Sequence, residues 1–167
     1  LHHPHGQIYA FPFVPTVQAN AAKAFADGYD LSTEIKTCEA DYGVASAGNM
    51  LAFCPPYARF PYEVWIAPRS RKAGPWSFDE TEQDGFAHLL GDITRRYDEF
   101  FQRPTAYMLT LHAAPAGAED SFHFTAQFYP LLRAPDRVKY LASVEQSTGV
   151  FTVDVMPEAA AQTLKTL

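Results

Sequence analysis

Cysteine is scarce in this chain of 167 residues: only Cys38 and Cys54 are present. Two are too few for a disulfide-dense scaffold, and these two lie too far apart for a zinc knuckle. They read as reduced thiols of a cytoplasmic protein. Charge is also sparse, with 19% of residues charged against 47% apolar. That balance excludes wholesale disorder and predicts a packed core. Cations are the rarer sign, 13 Lys and Arg against 19 Asp and Glu, for a net charge of -6. A surface short of cations argues against nucleic acid as a partner, because phosphate neutralisation needs a basic face. No apolar run nears the ~20 residues of a membrane span, so no membrane association is expected. The first residues, Leu1-His2-His3-Pro4-His5, lack the charged and apolar regions of a signal peptide and an initiator Met. The expectation is a chain that begins inside a longer gene product. Aromatics, by contrast, are abundant: 13 Phe, 9 Tyr and 2 Trp, enough to fill a core or to stack on a ligand.

Periodicity divides the chain into short elements. Gln7 to Val14 reads as a strand limited by Pro12 and Pro15. Thr16 to Gly28 reads as a helix with Ala21, Ala24 and Phe25 on one face, capped by Thr16 and stopped by Gly28. Asp30 to Asn49 has the weakest periodicity and reads as mostly loop. Met50 to Phe53 and Tyr62 to Ala67 read as strands, followed by a basic turn, Pro68 to Lys72, best explained as a solvated turn. The strongest helix runs from about Asp79 to Gln102. Ser77 and Glu80 have capping-box spacing, and Phe86, Leu89, Leu90, Ile93, Tyr97, Phe100 and Phe101 recur at helical intervals. Tyr107 to His112 and Phe122 to Tyr129 alternate as strands; Phe122, Phe124, Ala126 and Phe128 share the apolar face of the second. Val150 to Val155 reads as a further strand, and Pro157 opens a last helix. Strands and helices mix without strict alternation, which predicts an α+β domain with a largely antiparallel sheet and packed helices.

The chemistry concentrates in His2-His3-Pro4-His5-Gly6-Gln7. Imidazole is both a nucleophile near neutral pH and a metal ligand. On an extended segment His3 and His5 point the same way. Pro4 favours that extension, and Gly6 lets the backbone approach a ligand closely. The Gln7 amide can donate to a phosphoryl oxygen without adding charge. A purification tag is an uninterrupted run of imidazoles; this cluster is broken by Pro4 and continues into Gly6-Gln7-Ile8-Tyr9-Ala10. The set suits a histidine that attacks phosphorus.

His3-Pro4-His5-Gly6-Gln7-Ile8-Tyr9-Ala10 resembles the active-site signature of the galactose-1-phosphate uridylyltransferase family, within the histidine-triad superfamily. The resemblance continues through Pro61-Tyr62-Glu63-Val64, Ala67-Pro68-Arg69, Arg95-Arg96-Tyr97-Asp98, Leu111-His112-Ala113-Ala114-Pro115, Phe128-Tyr129-Pro130, and Lys139-Tyr140-Leu141-Ala142 with Glu145. It covers the whole chain, but only the second part of a family enzyme. It implies a histidine-triad-like fold in which residues 1–15 are the active-site strand of a preceding half. Residues 16–49 would be a helix and loop connection, and 50–167 the C-terminal domain.

The implied reaction moves UMP between UDP-glucose and galactose 1-phosphate by a ping-pong route. By resemblance His5 is the nucleophile that becomes uridylylated, and His3 is a ligand of a zinc whose other ligands lie outside this chain. Gln7 bonds the transferring phosphoryl group. Lys139, Tyr140 and Glu145 belong to the segment that contacts the sugar phosphate, with Glu145 on hexose hydroxyls. A homodimer is implied by analogy. The fragment alone is expected to be a poor enzyme. A second metal site of some family members is not expected here, because only His112 of its ligands remains. Ala21, Thr125 and Gln127 fall at or near the other positions, and none replaces an imidazole or carboxylate at a metal. His123, two positions upstream of Thr125, is read as part of a polar strand face. His2 and His88 receive no role. Two other readings stay open: a relative acting on another nucleotide or sugar, such as an adenylyl-sugar phosphorylase, and a non-catalytic binding module of the same fold.

Overall fold

The computed structural model describes residues 6–167. Its frame is a five-stranded sheet of β1 (Gly43–Ala47), β2 (Met50–Phe53), β3 (Val64–Pro68), β4 (Tyr107–His112) and β5 (Thr125–Pro130). The order across the sheet is β1-β2-β3-β5-β4, with every neighbouring pair antiparallel. Helices cover both faces. On one side lie α1 (Thr16–Ala26) and α2 (Leu31–Tyr42); on the other lies α3 (Glu80–Phe101). A small hairpin of β6 (Leu132–Ala134) and β7 (Arg137–Val138), a short α4 (Ser143–Thr148) and α5 (Pro157–Lys165) complete the chain. The predicted α+β class with a largely antiparallel sheet holds.

Helix α3 is built as its spacing predicts. Leu89, Ile93, Tyr97 and Phe101 recur every fourth residue and are all buried. They meet Ile66, Ala126 and Phe128 on the sheet, and each such burial contributes roughly 1.5–3 kcal/mol. The Tyr97 hydroxyl, inside this core, donates to the carbonyl of Tyr62 at 2.7 Å. Tyr62 has a φ of 58°, so that bond holds a backbone turn that few non-glycine residues adopt. The capping box is two residues later than Ser77 and Glu80 suggest: Asp79 and Glu82 form it, at 2.9 and 3.0 Å. Ser77 instead donates to Gly74 O, within a 3-10 turn over Pro75–Ser77.

Four other readings need correction. Asp30 to Asn49 is not loop: Asp30 caps α2 by accepting from Ser32 N, and β1 follows directly. Only Leu31 and Ile35 of α2 are buried, so its apolar stripe is too short to register as periodicity. Strand β1 pairs with β2, so the sheet begins before residue 50. Gln7 to Val14 joins no ladder among the described residues. Its aromatic rings pack in a row, Tyr9 stacked on Phe11 and Phe13 tilted against Phe11. Val150 to Val155 forms no strand either, because its backbone groups are taken by side chains: Val150 N by Thr148 Oγ1, Thr152 N by Glu145, Thr152 O by Lys139. Strand β5 starts at Thr125, so Phe122 leaves the shared apolar face and packs edge-on against Phe25, 5.1 Å between centroids.

The basic turn is less solvated than its composition suggests. Lys72 pairs at 2.8 Å with Glu82, whose side chain is 2% exposed, and Arg69 pairs with Glu39 of α2. Both cations therefore join elements rather than face a ligand.

Candidate functional site

The residues singled out by the sequence fall into three places. His2, His3 and His5 lie outside the described residues. Gln7 is described and exposed, and its Oε1 accepts from the Tyr9 hydroxyl at 2.9 Å. Its amide nitrogen has no side-chain partner within the described residues.

Lys139, Tyr140 and Glu145 come together around a cleft of about 330 Å³ between the β6–β7 hairpin and the segment after α4. Lys139 and Tyr140 line it, with Arg133, Thr152 and Asp154. Tyr140 is 81% exposed, free to lie against a ligand. Glu145 stands behind the wall. Its Oε1 accepts from Lys139 Nζ at 2.8 Å, Thr152 N at 2.9 Å and Thr152 Oγ1 at 3.2 Å. Its Oε2 accepts from Ala142 N at 2.6 Å, closing the first turn of α4. These donors, led by the Lys139 ammonium, hold its carboxyl pKa down at about 2. Arg133 and Thr152 escaped the sequence reading. Arg133 sits on a three-residue strand with no periodicity, and Thr152 lies in a segment misread as a strand.

A second, larger cleft of about 590 Å³ opens on the α1–α2 side of the sheet. Phe25, Trp65 and Phe122 are among its apolar lining; Ala21, His112, Thr125 and Gln127 line it too, with His112 opposite Thr125 across the β4–β5 ladder. The four positions that the resemblance associates with a second metal thus line one cleft. Their chemistry does not suit a metal, since a methyl, a hydroxyl and an amide accompany one imidazole. Instead His112, Thr125 and Gln127 are hydrogen-bonded in two groups. Gln18 Nε2 lies 3.2 Å from His112 Nδ1 and Thr110 Oγ1 lies 3.1 Å from His112 Nε2. An amide nitrogen only donates, so Nδ1 accepts and the ring proton sits on Nε2, toward Thr110. Separately, Gln127 Nε2 donates to Thr125 Oγ1 at 2.9 Å, Tyr129 OH donates to Gln127 Oε1, and Arg59 donates to Tyr129 OH. Burial lowers the His112 pKa, and the charge of Arg59 lowers it further.

His123, on the same wall, lies with Nε2 2.7 Å from the Pro68 carbonyl. Burial lowers its pKa too, opposed by that carbonyl and by Asp30. Gln18 was legible in principle: it lies three residues before Ala21, on the same face of α1. Arg59 was not, because the turn between β2 and β3 carries no repeat.

The comparisons agree with this architecture. The family model described as "Galactose-1-phosphate uridyl transferase, C-terminal domain" matches residues 22–167. A galactose-1-phosphate uridylyltransferase of Thermotoga maritima is 38% identical over 99% of this chain and 55% of its own length. The chain spans about half the length of the curated relatives it matches. Among solved structures, one described as "Structure of uridylyltransferase" superimposes with a TM-score of 0.88 at 28% identity, covering 98% of this chain and 54% of that one. A Hit-like protein from Bartonella henselae shares the fold alone, with a TM-score of 0.54 at 14% identity over 83% of this chain and 98% of its own. With 22–167 matched by the family model, the chain belongs to the galactose-1-phosphate uridyl transferase family.

Proposed function

We propose that the protein carrying this chain moves UMP between UDP-glucose and galactose 1-phosphate. The observation that carries the reading is the intact His3-Pro4-His5-Gly6-Gln7 directly ahead of a domain of this family. The His5 imidazole attacks the uridylyl phosphorus; a phosphorus–nitrogen bond forms as the bond to the glucose 1-phosphate oxygen breaks. Glucose 1-phosphate leaves. A phosphate oxygen of galactose 1-phosphate then attacks the same phosphorus, and the histidine is released. The Gln7 amide donates to a phosphoryl oxygen whose charge rises in each step. Lys139 offers a cation to the sugar phosphate, and Tyr140 a flat surface to the sugar.

Zinc belongs to the reading through His3, a good zinc donor. One imidazole cannot hold the ion, and no three His, Cys, Asp or Glu side chains among the described residues stand close enough to do so. The other ligands would come from outside this chain; a zinc bound there would fix the segment that carries His5. Residues 1–15 as part of a preceding half, a homodimer and a cytoplasmic location complete the reading. No helix among the described residues is long and apolar enough to cross a membrane.

The test is covalent labelling. Full-length protein incubated with UDP-glucose radiolabelled in the uridylyl phosphate should retain label after gel filtration, and His5→Ala should retain none. Equal label on the variant would remove His5 from the mechanism.

A further inference from the structure

Arg59 stands in the turn between β2 and β3 and lines the larger cleft. It is held at both ends. Its backbone N–H donates to Glu63 Oε2 at 2.7 Å, and Glu63, 1% exposed, also accepts from Phe60 N at 3.0 Å and Trp65 Nε1 at 2.7 Å. That carboxylate fixes the turn from beneath. The guanidinium is held by a hydroxyl and two rings. It donates to Tyr129 OH and lies 5.2 Å from the centroid of the Tyr129 ring and 5.5 Å from that of Phe151. A flat, weakly hydrated cation suits such a place, where an ammonium would give up more water.

The two rings lead in different directions. Tyr129 donates to Gln127 Oε1, and Gln127 donates in turn to Thr125. This chain ends inside the larger cleft. Phe151 leads to the smaller one. The next residue, Thr152, lines that cleft and gives its N–H and hydroxyl to Glu145, beside Lys139. Residues 150–155 join no ladder among the described residues, so no strand pairing sets their distance from the sheet. On the sheet side, Phe151 meets Arg59 and the ring of Phe60, the latter at 6.2 Å between centroids. Phe60 packs on Tyr129 as well, at 5.3 Å. Arg59 therefore clamps a strandless segment onto β5 through one side chain.

We infer that Arg59 is a positioning residue for the sugar-phosphate cleft, although it lies outside that cleft. It acts through Phe151 on Thr152, and so joins the two clefts of the domain. The inference rests on the sugar-phosphate part of the proposed function and adds to it a residue that touches neither the sugar nor the phosphorus. Its removal loosens the wall on which the hexose phosphate rests and leaves the groups that move UMP as they are.

The experiment uses full-length protein and reads binding by calorimetric titration with galactose 1-phosphate and, as the ligand without a hexose, UMP. Arg59→Met should weaken galactose 1-phosphate about tenfold, the fold-change that the loss of one desolvated cation–π contact corresponds to, and leave UMP unchanged. In turnover the same variant should raise KM for galactose 1-phosphate with kcat kept. Arg59→Lys should recover part of the affinity, because an ammonium still sits over a ring but lacks the fork that reaches Tyr129 at the same time. Phe151→Leu should weaken galactose 1-phosphate in the same way and add little to Arg59→Met in the double variant. Unchanged affinity in Arg59→Met, equal losses for both ligands, a fall in kcat at constant KM, or effects that multiply in the double variant would overturn the inference. A second measurement needs no ligand: the Thr152 amide resonance should move in Arg59→Met and return toward its place in Arg59→Lys. A wild type that does not bind galactose 1-phosphate would count against the sugar-phosphate reading. The Thr152 resonance then decides alone, and one that stays in place in Arg59→Met would overturn the role of Arg59.

Discussion

Gln18 and His112 lie 94 residues apart in sequence and meet side chain to side chain, the amide nitrogen 3.2 Å from Nδ1. This contact ties α1 to the edge strand β4 and fixes the tautomer of the ring. It works only while the imidazole is neutral, because a protonated Nδ1 would face a donor with a donor.

That requirement gives a pH dependence. Burial holds both His112 and His123 below the ordinary imidazole pKa; Arg59 adds to the effect on His112, and Arg71 to that on His123, while Asp30 and the Pro68 carbonyl oppose it at His123. Above the unfolded value of ~6.5 neither state carries the proton, and stability is at its full value. As the pH falls below ~6.5, the unfolded chain gains protons that the folded chain refuses, and stability declines until the folded pKa values are passed. Melting temperatures should stay level from about pH 8 to about pH 7 and fall below about pH 6.5. His112→Asn and His123→Asn should each flatten that fall.

The polar end of the larger cleft predicts a metal content. Metal analysis of full-length protein should find at most about one equivalent per chain. His3→Ala should remove it and His112→Ala should leave it in place. A second equivalent that disappears with His112→Ala would mean that Thr125, Gln127 or His123 recruits a ligand after all.

Two glycines inside α3 should answer substitution in opposite directions. A Cβ on Gly85 would stand 2.4 Å from the carbonyl oxygen of Ala47, whereas one on Gly91 would meet nothing within 4 Å. Gly85→Ala should therefore destabilise by about 1–3 kcal/mol, as α3 and the end of β1 are forced apart. Gly91→Ala should stabilise by about 0.5–1 kcal/mol, the ordinary helix preference. Urea unfolding of both variants checks the pair.

Gln7→Ala should slow transfer by about 10²-fold or more, the loss of one donor aimed at developing charge. Single-turnover rates for uridylylation and for the return step should fall together, since the same amide serves both.

The elements that could be read in advance are those whose own sequence decides them. Strand β4 has the boundaries its alternation predicts, and α3 buries the residues its spacing selects, because in each case one face is plainly apolar. Helix α2 was hidden because two buried residues suffice to dock it. The capping box was misplaced by two positions because Ser77 and Asp79 both have a glutamate three residues on, and only the fold decides that Ser77 turns back to Gly74. At the candidate site, Lys139 and Glu145 were legible as types but not as a buried pair. Glu145 stands six positions after Lys139, in the first turn of α4, and only that turn brings the carboxylate to the ammonium. Arg59 and Tyr129 meet across 70 residues, a distance no local pattern spans.

Among the described residues strand β4 has a neighbour on one side only, β5, and Tyr107, Met108, Leu109 and Leu111 are each 37–54% exposed. Its outer row of amides and carbonyls is a template for any extended chain that arrives there. A preparation limited to these 167 residues should therefore self-associate with a steep dependence on concentration, seen by light scattering as a mass that rises with concentration and falls on dilution. A lysine at Leu111 should suppress it, because a charge on an open edge repels the next strand before the first bond of a ladder forms. Solubility, and not only chemistry, would then decide how much of the protein must be kept together.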